Sequence, residues 1–213
     1  MVMRGDGMGV SVRRWMLVVM VVVAFPAQAT LLSRLGGLAA YDDVLDITWL
    51  TNAGLSGNNR WANQVAWADN LNILGFDDWR LATISSTSPT TSVFDCIGST
   101  AADCANAGNE LGYMFSHNLD GSYPDNLTGN QMVDGVNLTG IQPSYWSGTE
   151  WGSSSAWNFS FFNSTQISSL KSNSLSGWAV RDGDVLPVPE PTTTALLTLG
   201  LLGAAFSRRR RIH

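Results

Sequence analysis

Few side chains in this 213-residue sequence could do chemistry, and His117 comes first because the only other histidine is the terminal His213. A general base needs a nucleophile or an oriented water beside it, and no serine or cysteine pattern of that kind surrounds His117. On a predicted helix it reads as a surface or partly packed side chain, so catalysis is not expected. Cys96 and Cys104 lie eight apart in a segment of small residues. They lack the C-x-x-C spacing of a redox pair and have no histidine partner for a metal, which leaves a local disulfide as the expected state. Asp120, Asp125, Asn126, Asp134 and Asn137 offer the hard oxygen atoms that calcium prefers. No EF-hand spacing and no Glu-Pro-Asn or Trp-Asn-Asp step accompanies them, so no cofactor is expected, with calcium the only one for which ligands exist. Asp78 and Arg80 flank Trp79. They could form an acid and an anion clamp, but a buried arginine is normally paired, and a structural bridge from Arg80 to Glu150 is the expectation. Trp151 precedes Gly152-Ser153-Ser154-Ser155 between two predicted strands. An indole there either stacks on a ligand such as a sugar or lids the core, and Trp151, with Asp134 and Asn137, forms the candidate ligand contact.

The elements that must position these residues can be read from periodicity. Asp42-Asp43 looks like a turn between two short strands, the second spanning 46–50. Asn58 or Asn59 can cap a helix over 60–74 that ends at Gly75. Trp61, Val65, Ala68 and Leu71 would form its buried stripe, leaving Asn63, Gln64, Asp69 and Asn70 wet. A second helix is expected over 109–118, with Leu111, Met114, Phe115 and Leu119 on one face. The Gly- and Asn-rich stretch 120–142 reads as a long surface loop. Strands follow at 145–150, 157–161, 166–171 and 177–181, the last with Trp178 and Val180 on one face and Ala179 and Arg181 on the other. Most tryptophans fall on predicted core faces: Trp49, Trp61, Trp79, Trp146, Trp157 and Trp178. Strands, two helices, a loop and then an antiparallel sheet make an α+β domain.

The two ends differ from the middle. Arg13 and Arg14 precede an apolar run from Trp15 to Phe25, then Pro26 and Ala27-Gln28-Ala29. That order of charged, apolar and small residues is a secretory signal peptide spanning 1–29, cut after Ala29. Its apolar part reaches only about 16 Å as a helix, against the ~30 Å of a bilayer core. At the other end stand Pro189-Glu190-Pro191, an apolar run from Thr192 to Phe206, and Arg208, Arg209, Arg210 and Arg211. The run is about 22 Å long as a helix, and the arginines should stay on the cytoplasmic side. Residues 187–213 resemble the PEP-CTERM sorting tail, which implies an exosortase-type protease as partner. It also implies transient anchoring in the inner membrane, then release to the surface or extracellular matrix. An exported chain meets an oxidising compartment, which supports the Cys96–Cys104 bond, worth about 2–3 kcal/mol for so short a loop.

Between the two ends, residues 30–186 hold five basic and fifteen acidic residues, a formal charge of −10. Such a surface repels polyanions, so nucleic acid is not an expected partner. Four segments carry a further resemblance: Gly-Phe-Asp-Asp-Trp-Arg-Leu-Ala-Thr at 75–83, Tyr145-Trp146-Ser-Gly-Thr-Glu150, Ala-Trp-Asn-Phe at 156–159 and Trp-Ala-Val-Arg at 178–181. Their order is similar to that of the Lcl C-terminal-like domain, over roughly 38–183, with Ala82 where that family has proline. The resemblance implies a C-type-lectin-like arrangement: two helices packed on a small antiparallel sheet with long loops, here flanked by hydrophobic targeting helices. The function expected from these observations is a non-catalytic surface or matrix protein, with saccharide in biofilm or exopolysaccharide as its ligand class. The alternatives are a purely structural envelope protein and, through fold similarity alone, a formylglycine-generating-enzyme-like enzyme.

Overall fold

A computed structural model describes residues 30–85, 96 and 100–185. The expected N- and C-terminal targeting helices lie outside the described residues, among which no helix is long and apolar enough to cross a membrane. In chain order the elements begin with β1 (Leu31–Arg34), β2 (Ala39–Asp42), β3 (Ile47–Leu50), β4 (Asn58–Asn59), α1 (Trp61–Asp69) and β5 (Arg80–Leu81). Two short helices follow, α2 (Ala101–Asn106) and α3 (Glu110–Tyr113), and a π-helical turn, Met114–Asn118, continues α3. Then come β6 (Gly129–Val133), β7 (Val136–Ile141), β8 (Ser144–Trp151), β9 (Ser155–Ser160), β10 (Thr165–Leu170), β11 (Leu175–Gly177) and β12 (Ala179–Asp182).

The domain is α+β, with more sheet and less helix than the sequence pattern implied. One five-stranded sheet runs β1-β2-β3-β12-β5 and the other β10-β9-β8-β11-β4. The pairing is antiparallel except where β11 lies parallel to β8. The expected strand over 177–181 is therefore two strands in two sheets, divided at Trp178. Alternation survives the division: Trp178 and Val180 join one core cluster and Ala179 the other. Trp178 fixes the crossing point. Its indole N–H donates to the Leu50 carbonyl at 2.8 Å, and its own carbonyl accepts from Ala82 N–H at 3.1 Å. Its ring lies 5.2 Å from both Trp49 and Tyr145. The preceding Gly177 cannot carry a side chain, because a Cβ there would come within 2.8 Å of Leu81 and 2.9 Å of Gln64.

The expected helix over 60–74 closes earlier, at Asp69. Leu74 and Gly75 both have positive φ, and Ile73 and Phe76 exchange backbone hydrogen bonds around them. That is a tight two-residue turn, which Asn72 stabilises by accepting from Gly75 N–H. Neither Asn58 nor Asn59 is the cap: both lie in β4, and Arg60 takes the cap position without a side-chain bond. Gln64, expected to be wet, is 1% exposed. It shares the helical face of Trp61 and Ala68, and its amide donates to the Gly57 and Leu175 carbonyls at 2.7 and 2.8 Å. A polar group can occupy a core stripe when its bonds are made inside.

The stretch 120–142 is not one loop. It contains the β6–β7 hairpin, whose Val136, Leu138 and Ile141 are buried. The helix expected over 109–118 is present as α3 and the π-helical turn, capped by Asn109, which accepts from Gly112 N–H. α2 was not foreseen in the cysteine segment.

Arg80 does not pair with Glu150. Its guanidinium binds both Glu110 carboxylate oxygens, at 2.8 and 2.7 Å, and Asp182 at 2.6 Å. Burial works against the charge, but Glu110 and then Asp182 outweigh it and hold the Arg80 pKa above its ordinary value. Glu110 also accepts from Thr83 N–H, so this group ties α3 to β5 and β12. Glu150 instead pairs with Lys171 at 3.1 Å. Arg80→Ala should lower unfolding stability by about 2–3 kcal/mol, since Glu110 is left with little solvent. Glu150→Ala should change it by less than about 0.5 kcal/mol. Urea denaturation of the two variants measures the difference.

Candidate functional site

The most distinctive surface feature is built on the β8–β9 hairpin. Gly152 turns the chain with φ 74°, and Lys171, the only lysine in the chain, binds the turn from below. Its ammonium lies 3.1 Å from the Ser153 carbonyl, 3.4 Å from that of Gly152 and 3.1 Å from Glu150 Oε2. The same nitrogen stands 4.6 Å over the Trp61 ring, a cation–π contact. The backbone is held too, with Lys171 N–H donating to the Ser154 carbonyl and Trp61 N–H to that of Lys171. The Trp61 indole is fixed in turn by the Ser147 carbonyl at 2.8 Å.

Trp151 therefore stands on a rigid hairpin. Its ring meets the buried Trp157 edge to face, 4.9 Å away at 63°, yet Trp151 remains 42% exposed. Strand register places Trp151, Ser155 and Leu170 in one row across β8, β9 and β10. The row carries no charge, and Leu170 is also exposed. Sequence alone did not link Lys171 and Leu170 to Trp151. A single lysine in an otherwise lysine-free domain was the signal available.

The other candidates go elsewhere. Asp134 occupies the β6–β7 turn with φ 51°, and its carboxylate accepts from Leu31 N–H at 3.0 Å, so it anchors the start of β1. Asn137 is exposed on β7, opposite Met132. Asp125 accepts from Ser122 and Asn126 from Thr128, each closing a local turn. Among the described residues no group of histidine, cysteine, aspartate and glutamate is arranged to hold a metal ion.

The motif residues are structural ties. Asp78 receives two bonds from Arg181 at 2.7 Å, and these lower its pKa below the ordinary carboxylate value. Trp79 is buried and donates to the Phe76 carbonyl. The Tyr145 hydroxyl accepts from Gln142 N–H at 2.6 Å, while burial pushes its pKa upward. Trp146 donates to the Asn59 carbonyl. Cys96 and Cys104 are joined in a disulfide.

Asp42 is buried within the β2–β3 turn, where it accepts from Val44 N–H, Leu45 N–H and the Asn118 amide. Burial outweighs those bonds and raises its pKa. The π-helical turn brings His117 beside Tyr113, with ring centroids 5.0 Å apart. Its Nε2 is buried there without a hydrogen-bond partner.

Residues 187–211 match the PEP-CTERM protein-sorting motif. The chain thus carries the signal of an exported protein sorted by exosortase at the membrane towards the cell surface. Pro189, Glu190, Pro191 and the Arg208–Arg211 cluster belong to this matched tail; the tail, and the Ala27–Ala29 step expected as the signal-peptide cut, lie outside the described residues. No curated protein matches the chain, and no family match supports the Lcl C-terminal-like resemblance of residues 38–183.

Burial lowers the His117 pKa below 6.5. Between that lowered value and 6.5 the unfolded chain binds more protons than the folded one, so stability is retained above pH 6.5 and lost as pH falls. Urea midpoints measured at pH 7 and pH 5 should show this loss, and His117→Gln should reduce it.

Proposed function

We propose that residues 30–186 form a non-catalytic module, delivered by the sorting tail to the surface or extracellular matrix, that contacts saccharide through Trp151. The observation that carries this reading is the half-exposed indole held in one orientation by Trp157 below it and by the Lys171-bound hairpin beside it. An immobilised aromatic face offers stacking area without an ordering cost at binding. Ser153 and Ser154 in the adjoining turn and Ser155, paired with Trp151 across the strands, supply neutral hydroxyl groups, which suit the hydroxyls of a sugar. The surplus of acidic residues disfavours sulfated or otherwise polyanionic glycans, so neutral biofilm or exopolysaccharide chains are the preferred ligands.

The lectin-like analogy agrees with this reading, although the architecture of two five-stranded sheets and three short helices is richer in strand than the analogy implied. A formylglycine-generating type of chemistry would require a thiol, and both cysteines of the chain are spent on one disulfide. A purely structural envelope role is favoured by a different observation: the arginine side chains Arg34, Arg80 and Arg181 are all engaged in ion pairs that tie elements together.

Calorimetric titration of the exported protein with neutral oligosaccharides, including fragments of the producing organism's own exopolysaccharide, separates these readings. Trp151→Ala should weaken binding at least tenfold, a loss of about 1.4 kcal/mol or more, while leaving the thermal melt nearly unchanged. Absence of saccharide binding by the unmodified protein, or equal affinity in the variant, removes the saccharide reading.

A further inference from the structure

Val185 is the last described residue, and six residues, 186–191, separate it from the apolar run that begins at Thr192. Even fully extended, six residues span at most about 22 Å. A tail seated in a bilayer therefore keeps the side of the domain from which it leaves close to the lipid surface.

The hydrogen bonds identify that side. By strand register, Leu32, Arg34, Tyr41, Thr48 and Arg181 share one face of the sheet β1-β2-β3-β12-β5. Residues 183–185 cross this face. The Gly183 carbonyl accepts from Thr48 Oγ1 at 2.7 Å, the Asp184 carboxylate from Arg34 at 2.7 Å, and the Asp184 carbonyl from Arg181 at 3.2 Å. Two turns flank the exit. One begins at Leu35, directly after Arg34, and closes at Leu38. The other, Ile73–Phe76, reaches Arg181 through the Phe76 ring, 5.0 Å from the guanidinium. Leu35, Ile73 and Phe76 all pack against the smaller core cluster, which takes Ala39, Leu50 and Ala179 from this same face.

The outer points of the two turns are apolar. Leu38 is 52% and Leu74 69% exposed, and Leu32 is exposed opposite Tyr41. Leu35 and Leu74 have φ of 51° and 52°, a region that Asn, Asp and Gly enter more readily than leucine. A two-residue turn such as this one usually carries Asn or Asp where Leu74 stands. A leucine held out at that tip has a physical use if something removes it from water.

We propose that this face, with Leu32, Leu38 and Leu74 as its apolar points, rests on the lipid surface of the membrane while the sorting tail is in place. The inference rests on the tail holding the chain at the membrane. Position selects lipid as the occupant, because the tail leaves through this face and cannot carry it far from the bilayer. Leucines suit the acyl boundary, and Tyr41 with the ion-paired Arg34 and Arg181 suits headgroup depth. A domain of formal charge −10 favours zwitterionic headgroups over anionic lipid. Tethering by so short a linker supplies an effective concentration on the order of 1 mM, so a weak contact is populated. Removal of the tail then frees the domain.

Hydrogen exchange of the tail-bearing chain in phosphatidylethanolamine–phosphatidylcholine vesicles, compared with the released exported protein, tests this. Segments 35–38 and 73–76 should exchange at least about threefold more slowly on the vesicles, as a contact populated by tethering requires. The double variant Leu38→Ser, Leu74→Ser should lose that slowing while still floating with the vesicles and keeping its thermal melt. A photo-leucine incorporated at position 74 should cross-link to lipid. Slowing that is absent, spread evenly over the domain or retained in the double variant overturns the proposal. Cross-links to the chain's own tail or to a second copy would assign the face to those occupants and overturn it as well. A chain that does not float with the vesicles overturns the anchoring reading of the tail, and this proposal with it.

Discussion

The crossing of the backbone at Trp178 is the constraint on which the rest of the domain depends. Within one residue the chain leaves β11 in one sheet and enters β12 in the other. Both sheets must therefore register on the same side chain. The indole bonds the Leu50 carbonyl in β3, and its ring packs on Tyr145 of β8 and on Phe161 just beyond β9. A ring of that size fills the junction while its one polar group stays bonded, as a close-packed core requires. The hairpin that presents Trp151 extends from β8, whose partner on one side is β11. The surface platform is thus oriented by a contact far from it in the core.

Charge is distributed with the same economy. Four of the five basic residues in 30–186 are held in ion pairs, each linking segments distant in sequence or closing the β8–β9 turn. Arg34 and Arg181 add aromatic contacts, with Tyr41 and Phe76 respectively, and Lys171 adds Trp61. Tyr41 also bonds Asp46, which pushes its pKa up to about 12. Positive charge acts mainly as internal mortar, and apart from the buried Asp42 the unpaired acids among the described residues face solvent. This distribution suits export and weak attraction to polyanions, and it leaves recognition to neutral chemistry.

Much of the fold was legible. The alternation of Trp178, Ala179 and Val180 described two buried faces correctly, and the turn after Asp42 came from a short acidic signal that the structure uses directly. The burial of Trp49, Trp146 and Trp157 followed from their strand positions. The β6–β7 hairpin was less visible, because Val136, Leu138 and Ile141 stand among glycines and amides that resemble loop composition. Gln64 misled for a related reason: residue type marked it as wet, whereas two backbone carbonyls reached it from Gly57 and Leu175. For the candidate site, Gly-Ser surroundings singled out Trp151, which the structure leaves half-exposed, whereas Asp134 anchors the start of β1.

The sequence by itself determined the sorting tail, the acidic balance, the spacing that permits the Cys96–Cys104 bond, and the strand alternation of the last third. Each is a property of neighbouring residues or of composition, and each survives whatever the rest of the chain does. Only the tertiary structure decided that Arg80 binds Glu110 and Asp182 rather than Glu150, that Lys171 braces the Trp151 hairpin, and that β10 ends its sheet. Arg80 and Asp182 are 102 residues apart. Such partnerships form where long-range packing delivers the groups within bonding distance, and no local pattern records that approach.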